Sequence, residues 1–372
     1  MRWAGILTIA LVAIALVFAG ERLLFGSGSD ANGAAQSSAV PANLTSRQLA
    51  GQRIVCGFAG RSAPSGLTRA IGDGEVGGVI LFGRNVSSRA QVRSLTAQLQ
   101  DVRRPPGLRD PLIVSIDQEG GQVKRLPGPP KMSAAQMGRR GAAVAKRQGR
   151  KTGGSLAAAG VNVDLAPVLD VARPRGFIAD QGRGFAAKPG RAGRAGVAFS
   201  RGLQGAGVAA TAKHFPGLGS TAANTDLRPA KIRLKRKKLR RIDEAPYRRF
   251  ARAGGKLVMV SSARYPALGA AKVPASQSRR VVTGELRGRI GFGGVTISDS
   301  LETPAATAGA GPAKVALRAA GAGMDLLLYV HCDAAAKAAG VLANALASGA
   351  LDRAEFEASV DRVLALRAGL AR

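Results

Sequence analysis

Eight short runs of apolar, often β-branched residues alternate along this chain with longer stretches of helical character. Continuous apolar strands joined by helices indicate a parallel sheet that is covered on both faces. Eight such units predict an α/β fold, a closed (β/α)8 TIM barrel in a single domain, with a doubly wound sheet as the alternative. The predicted strands are Arg53–Phe58, Gly77–Phe82, Leu112–Asp117, Val161–Leu169, Val208–His214, Lys256–Ser262, Val295–Ser300 and Met324–Val330.

The stretches between these runs predict helices, several of which end at glycine. The final stretch, 352–372, has apolar residues near helical spacing and predicts a helix that packs on the outside of the barrel. The other predicted helices are Arg89–Val102, Ala192–Gln204, Arg240–Ala253, Ser278–Ile290 and Pro312–Ala322.

The first residues predict an export signal. A short positive start precedes an almost wholly apolar run, Trp3–Gly20, and a stretch of small and polar residues follows. We therefore expect a signal peptide or membrane anchor at 1–25, a flexible linker at 26–45 and the barrel at 46–372. The protein is expected to be secreted or membrane-anchored, with its barrel outside the cytoplasm, and cleavage is left open.

The net charge of +32 favours polyanionic surroundings, such as anionic wall polymers or a membrane surface. The basic residues are scattered and no nucleic-acid motif accompanies them, so no specific nucleic acid is expected. The densest basic run, Lys231–Arg241, is interpreted as a solvated helix start in preference to a docking patch. We expect a monomer.

The two cysteines, Cys56 and Cys332, are far apart in the sequence. They can meet across a closed barrel, but buried free thiols are the favoured interpretation. Neither has the spacing of a metal ligand, and the two histidines of the chain form no metal motif. No metal and no cofactor are therefore expected.

Polar residues follow several of the predicted strands directly. Active sites of barrels lie on the face where the strands end, so these side chains are candidates for catalysis. Carboxylates together with cationic donors suit a substrate rich in hydroxyls, and glycoside hydrolysis uses one carboxylate as nucleophile and one acid. The residues at the strand ends are Asp117, Glu119, Asp170, Lys213, His214 and Asp299.

Three of these residues have competing interpretations. Asp170 is interpreted, by a small margin, as a cap or as an acceptor for backbone amides in a turn. His214 stands beside Lys213 and a rigid Phe-Pro-Gly turn, which favours a functional role. Asp299 ends the apolar run VTIS, where an unpaired ionised group costs several kcal/mol if buried, so a site role is the best explanation.

The chain resembles the N-terminal barrel of glycoside hydrolase family 3, in its β-N-acetylhexosaminidase-like branch. The likeness runs in order from about Ser46 to the C-terminus. The resemblance implies a retaining mechanism with Asp299 as nucleophile. The resemblance further implies that the sugar is bound by Asp117, Arg125, Arg183, Lys213 and His214. The matching segments are GGVILFGRNV (77–86), SIDQEGGQVKRL (115–126), GVNVDLAPVLDV (160–171), KHFPGLG (213–219), VPAS (273–276) and GGVTISDS (293–300).

One segment departs from the family pattern. The hexosaminidase branch follows KHFPG with HGDT and then DSH, whose Asp-His pair is the acid/base, whereas this chain reads KHFPGLGSTAANTD. Leu218 and Ser220 replace the first His and Asp, and Asn224 and Asp226 replace the dyad. Asp226 is the candidate acid/base, with Glu302 as a second candidate.

Two hypotheses follow. The first is a glycosidase that removes terminal β-linked N-acetylglucosamine from cell-wall or related glycans. The second is a catalytically impaired, sugar-binding barrel at the cell wall.

Overall fold

A computed structural model describes residues 40–371, with the exception of residue 42. The predicted signal or anchor at 1–25 and most of the predicted linker lie outside the described residues. Among the residues described, no helix is both long and apolar enough to cross a membrane.

Eight parallel strands form the barrel, which confirms the predicted fold. Their order is β10-β1-β2-β3-β6-β7-β8-β9, and a parallel bridge between Ile297 and Leu326 joins the last strand to the first. A two-stranded antiparallel hairpin follows the third barrel strand. The strands are β1 (Ile54–Cys56), β2 (Gly78–Leu81), β3 (Ile113–Ile116), β4 (Gln118–Gly120), β5 (Val123–Lys124), β6 (Val163–Asp164), β7 (Ala209–Phe215), β8 (Leu257–Val260), β9 (Val295–Ser298) and β10 (Leu327–Tyr329).

Alternate strand residues divide between two apolar clusters. Val55 and Ile80 point into the barrel, where they join an inner cluster. Their neighbours Cys56, Val79 and Leu81 face the surrounding helices and belong to the outer cluster. Because both faces of each strand are covered, the strands read as continuous apolar runs.

The helices surround the barrel in the expected places. They are α1 (Ser46–Gln52), α2 (Ser65–Gly72), α3 (Arg89–Asp101), α4 (Ala134–Arg140), α5 (Ala142–Ala157), α6 (Phe177–Asp180), α7 (Pro189–Gln204), α8 (Arg236–Lys238), α9 (Ala245–Arg252), α10 (Pro304–Thr307), α11 (Pro312–Gly321), α12 (Cys332–Ala347) and α13 (Arg353–Ala368). Short 3-10 segments are Gly83–Asn85, Pro266–Leu268 and Ala275–Gln277, and π-helical segments are Leu239–Asp243 and Arg280–Arg289.

Two predicted helices differ in kind from the expectation. The stretch predicted at 240–253 consists of a π-helical segment followed by α9, whose first turn contains Pro246. Proline has no N–H to continue the preceding hydrogen-bond pattern, so a new helix begins there. The stretch predicted at 278–290 is π-helical over most of its length. The basic run 231–241 contains the exposed start of α8, as predicted.

The last helix, α13, is present as predicted and packs against both apolar clusters of the barrel. Its Val363 belongs to the inner cluster, and Leu366 and Leu370 pack against that cluster. The helix therefore packs on the outside of the barrel, as predicted, through Phe356 and Val360 of the outer cluster, and it also covers the bottom of the barrel, where the strands begin. Val363 is completely buried there, and burial of its apolar side chain stabilises the contact between the helix and the barrel.

The prediction of free thiols was wrong, because Cys56 and Cys332 form a disulfide with their Cα atoms 5.0 Å apart. Cys56 is the last residue of β1, which pairs directly with β10, and Cys332 begins the helix after β10. Closure of the barrel makes the first and last strands neighbours and so brings two cysteines 276 positions apart into contact.

Candidate active site

The ends of the strands surround a cavity of about 470 Å³. The residues to which the sequence analysis assigned a catalytic or sugar-binding role all line this cavity, as do Glu119, Leu218, Asn224 and His331, whereas Asp170 does not line it. The predicted residues brought together are Asp117, Arg125, Arg183, Lys213, His214, Asp226, Asp299 and Glu302.

A network of three cations and two carboxylates forms one wall of the cavity. Lys213 Nζ lies 2.6 Å from Asp117 Oδ1 and 2.8 Å from Glu119 Oε1. Arg183 donates to both oxygens of Glu119, from Nε and Nη2, each at 2.8 Å. Arg125 Nη2 lies 4.0 Å from Asp117 Oδ2. These charge-assisted contacts hold the polar groups in one arrangement before any ligand arrives.

Glu119 is the member of this network to which the sequence interpretation gave no binding role. Burial alone would raise the pKa of its carboxyl, but the Lys213 and Arg183 cations and their hydrogen bonds outweigh burial and lower it to about 2. For Lys213, burial would lower the pKa, and the Asp117 and Glu119 carboxylates raise it instead. The spacing of Asp117 and Glu119 was the available signal, because residues two apart in an extended segment face the same side.

Asp170 contacts His214 and orients its imidazole ring. Its Oδ2 is 2.7 Å from His214 Nδ1, and both of its oxygens accept from the His214 backbone N–H at 3.2 Å. Oδ1 also accepts from the Leu218 N–H at 2.6 Å and from Tyr247 Oη at 3.3 Å. The interpretation of Asp170 as an acceptor for backbone amides is confirmed, and it orients His214 as well.

The turn after His214 is held close against neighbouring backbone. Gly217 has φ +133°, and a Cβ there would lie 2.7 Å from the Asp243 Cβ. A Cβ at Gly219 would lie 1.9 Å from the Val171 carbonyl oxygen. Tyr265 Oη donates to the Gly217 carbonyl at 3.0 Å. Only glycine fits at these two positions, so the segment that leads to Asp226 starts from a rigid base.

Asp299 follows β9 and is half-buried at the cavity wall. Its backbone N–H donates to the Val260 carbonyl at 3.0 Å, and its Oδ1 accepts from the Ser300 N–H at 2.9 Å. Burial and the nearby Asp226 carboxylate raise the pKa of Asp299, while His214, Lys213 and the Ser300 N–H oppose them. The side chain is therefore fixed at the end of its strand, with a second carboxylate close enough to influence its charge.

Asp226 lies on the loop after β7 and is exposed at the cavity. Its backbone N–H donates to Asn224 Oδ1 at 3.0 Å, and the Asn224 carbonyl accepts from the N–H groups of Leu227 and Arg228. Asn224 thus organises the turn that carries Asp226. The carboxylate itself has no ion-pair partner within the described part of the chain.

Glu302 and His331 form a carboxylate–imidazole pair on the opposite side of the Asp299 strand. Glu302 Oε1 lies 2.9 Å from His331 Nδ1, and Oε2 accepts from the N–H groups of Val330 and His331. This carboxylate is occupied as an acceptor by three donors. Its geometry is that of a group that positions His331.

The fold and the cavity define a class of protein. The barrel brings several carboxylates and a fixed set of cations to the carboxyl ends of its strands, which is the arrangement of a barrel glycosidase. Within residues 40–371, excepting 42, no group of three or more His, Cys, Asp and Glu is placed to hold a metal ion.

Comparison with known proteins names the family. The model of the glycosyl hydrolase family 3 N terminal domain matches residues 59–366, and the chain belongs to this family. The chain is 38% identical to an "Uncharacterized secreted glycosyl hydrolase" of Arthroderma benhamiae, over 90% of this chain and 98% of that protein. It is 35% identical to a β-hexosaminidase of Pseudomonas aeruginosa, over 71% of this chain and 78% of the relative.

Solved structures agree with this assignment. A family 3 β-N-acetylglucosaminidase from Paenibacillus sp. superposes with a TM-score of 0.81 at 35% identity. That match covers 88% of this chain and 63% of the Paenibacillus chain, so this protein spans less than two thirds of that relative. A β-N-acetylhexosaminidase from Beutenbergia cavernae superposes with a TM-score of 0.81 at 29% identity, over 88% and 99% of the two chains.

Proposed function

We propose that this protein is a retaining glycosidase that removes terminal β-linked N-acetylglucosamine from cell-wall or related glycans. The observation that carries the proposal is that Asp226 and Asp299 line one cavity with the Asp117–Lys213–Glu119–Arg183 network. The relatives named β-hexosaminidase and β-N-acetylglucosaminidase support the choice of sugar.

The cation–carboxylate network is proposed to bind the sugar ring. A ring hydroxyl both donates and accepts, so Asp117 can accept from it while Lys213 or Arg125 donates to it. Hydrogen bonds to charged groups are stronger than those between neutral groups. Because the network is already ordered, little rotamer entropy is lost when the sugar binds.

The chemistry proceeds in two steps. The Asp299 carboxylate attacks the anomeric carbon, the bond to the leaving oxygen breaks, and Asp226 transfers its proton to that oxygen. Water then attacks the anomeric carbon of the glycosyl-enzyme, Asp226 takes the proton of the water, and the bond to Asp299 breaks. His214, oriented by Asp170, is proposed to hold a sugar hydroxyl during both steps.

The first test compares two substrates with the full chain. We expect turnover of an aryl β-N-acetylglucosaminide and little turnover of the corresponding β-glucoside. Asp299→Asn should lower kcat by more than about a thousandfold while the thermal unfolding midpoint stays near that of the wild type. A loss below about tenfold would be too small for a covalent nucleophile and would place the reaction elsewhere.

The role of Asp226 is tested by the leaving group. Asp226→Ala should cut hydrolysis of natural disaccharides by about 10²–10⁴-fold. Dinitrophenyl glycosides need little protonation and should be spared in the first step, with partial rescue by added azide. Equal losses on both substrates without rescue would exclude Asp226 as acid/base, and Glu302→Ala would then be tested in the same way.

A sugar-binding barrel without activity is the second candidate. The hexosaminidase branch has an Asp-His dyad where this chain has Asn224 and Asp226. Both replacements favour this candidate. This candidate is supported if the wild type binds N-acetylglucosamine by calorimetry but neither substrate is turned over. In that case Asp299→Asn should leave sugar binding largely intact.

We further infer that residues 1–25 direct export, that 26–45 link this segment to the barrel, and that the barrel spans 46–372. The Arthroderma relative named as secreted supports export. The surplus of positive charge supports binding of anionic polymers outside the cytoplasm.

A further inference from the structure

A groove on the outer wall of the barrel, distinct from the active-site cavity, is lined by six cationic side chains. It lies along α7, between α5 and α9, and has a volume of about 490 Å³. The residues that line it include no acidic and no aromatic side chain. We call it the α7 groove, and its cations are Lys146, Arg194, Arg201, Arg248, Arg249 and Arg252.

Within the described part of the chain, no acidic side chain pairs with the groove cations. Arg248 is half-buried and donates to the Arg240 carbonyl at 2.8 Å. The other five are exposed, and across residues 40–371 apart from 42 none of them forms an ion pair. Like charges held near each other repel, so an unneutralised cluster of this size favours an anion that spans it.

Close helix packing draws the cations together. A Cβ at Gly202 of α7 would lie 2.3 Å from the Lys146 carbonyl oxygen of α5, so the two helices approach as closely as their backbones permit. On the other side, the aliphatic part of Arg249 lies against Gly193, where a Cβ would meet its Cδ at 3.3 Å. Close packing at the glycines of α7 thus brings cations from three helices to one groove.

The lining of the groove follows α7 from Arg194 to Arg201 and includes the starts of the helices on either side. Ala142 and Ala245, the first residues of α5 and α9, line one end of it. In a (β/α) unit the helix starts near the carboxyl end of the preceding strand, so this end lies toward the active site. Arg194 and Arg201 are two turns apart on α7, about 10 Å along the helix. A linear ligand therefore fits the groove better than a compact one.

We propose that the α7 groove binds a linear phosphodiester polymer that carries no nucleobases. Five of its six cations are arginines, whose planar guanidinium matches phosphate oxygens in a bidentate manner. Nucleic acid is disfavoured because no aromatic side chain in the groove offers a base a stacking surface. A bilayer is disfavoured because, of the described residues, Leu227 alone is a strongly exposed large apolar side chain, and it lies beside Asp226.

Such binding would keep the active site near polymer-bearing glycans by raising their local concentration. The proposal deepens the inference that the protein binds anionic polymers, and it does not depend on the catalytic assignment.

The test measures binding of the full chain to immobilised poly(glycerol phosphate) between about 50 and 200 mM salt. The groove variant is Lys146→Gln/Arg194→Gln/Arg201→Gln. Its matched control, Arg69→Gln/Arg93→Gln/Lys337→Gln, removes the same charges from exposed helical positions elsewhere. We expect the groove variant to bind at least about tenfold more weakly, and its log K against log salt slope to fall by about two to three. The control should change both quantities by less than half as much.

Three outcomes would overturn the proposal. Equal losses in the two variants would mean that diffuse surface charge alone attracts the polymer. An unchanged affinity of the groove variant would place the binding elsewhere. Loss of binding to phosphatidylglycerol vesicles, with polymer binding retained, would assign the groove to a membrane. Circular dichroism and aryl-glycoside turnover, recorded on the same samples, show whether each variant is folded and report on catalysis separately.

Discussion

Asp164 lies on β6 beneath the active-site network and is completely buried. Its Oδ1 accepts from the Gln118 N–H at 3.0 Å, and its Oδ2 has no hydrogen-bond partner within the described part of the chain. Burial raises the pKa of this carboxyl; the Gln118 N–H and Lys213 oppose the rise, and Asp117 and Glu119 add to it. The resulting pKa is about 8, so Asp164 is protonated in the folded protein at neutral pH.

This pKa predicts a specific dependence of stability on pH. In the unfolded chain an Asp titrates near ~3.9, well below its folded value of about 8. The stabilisation that comes from the bound proton is complete below the unfolded pKa and is lost as the pH rises toward the folded pKa. Across that window the free energy of unfolding should fall by ~1.4 kcal/mol per pH unit from this group, or about 6 kcal/mol in all.

Asp164→Asn tests this directly, because an amide keeps the acceptor for Gln118 but does not titrate. Urea unfolding of both proteins at several pH values between about 4.5 and 7.5 gives the two free energies. Relative to the wild type, the free energy of unfolding of the variant should rise by ~1.4 kcal/mol for each unit of increasing pH, because the contributions of all other groups cancel in the difference. If the free energies of unfolding of the two proteins differ by the same amount at every pH, Asp164 is ionised in the folded protein and the reasoning is refuted.

Two further predictions concern the proposed nucleophile and the disulfide. Burial and the Asp226 carboxylate raise the pKa of Asp299, and in the proposed mechanism this carboxylate must be ionised to attack. Asp226→Asn should therefore move the acid limb of the pH profile of kcat/KM, measured with an activated aryl glycoside, to lower pH. An acid limb that stays in place or moves to higher pH would contradict the effect of Asp226 on the pKa of Asp299. The disulfide closes a loop of 276 positions, so Cys56→Ala/Cys332→Ala should lower the free energy of unfolding by about 2–5 kcal/mol in denaturant titrations. Reductant should destabilise the wild type by a similar amount and leave the double variant unchanged, whereas equal midpoints without reductant would count against this role.

Local sequence was sufficient for most of the architecture. An apolar run such as Gly77–Phe82 needs two covered faces, and eight of them separated by helical stretches leave few alternatives to a barrel. The strand-end candidates were predicted from the same rule, because strands that run in parallel present their ends, including Asp117, Lys213 and Asp299, on one face. Arg125 and Asp226 were predicted only through the resemblance to the family. The turn of KHFPG depends on glycines and proline, whose conformational preferences are local.

Other features depended on which elements become neighbours. The disulfide required closure of β10 onto β1, and no local pattern distinguishes a cysteine with a partner 276 positions away from a buried thiol. The burial of Val363 depended in the same way on where α13 meets the barrel.

Electrostatic environments also came only from the tertiary structure. Glu119 has a low pKa because Lys213 and Arg183 arrive from two other parts of the chain, and Asp164 has a high pKa because burial outweighs the opposing Gln118 N–H and Lys213 cation. The α7 groove is assembled from three helices that are separated by tens of residues. The periodicity of side chains can be read from one segment of the sequence. The burial of a titratable group and the charges near it depend on several segments, which only the folded chain brings together.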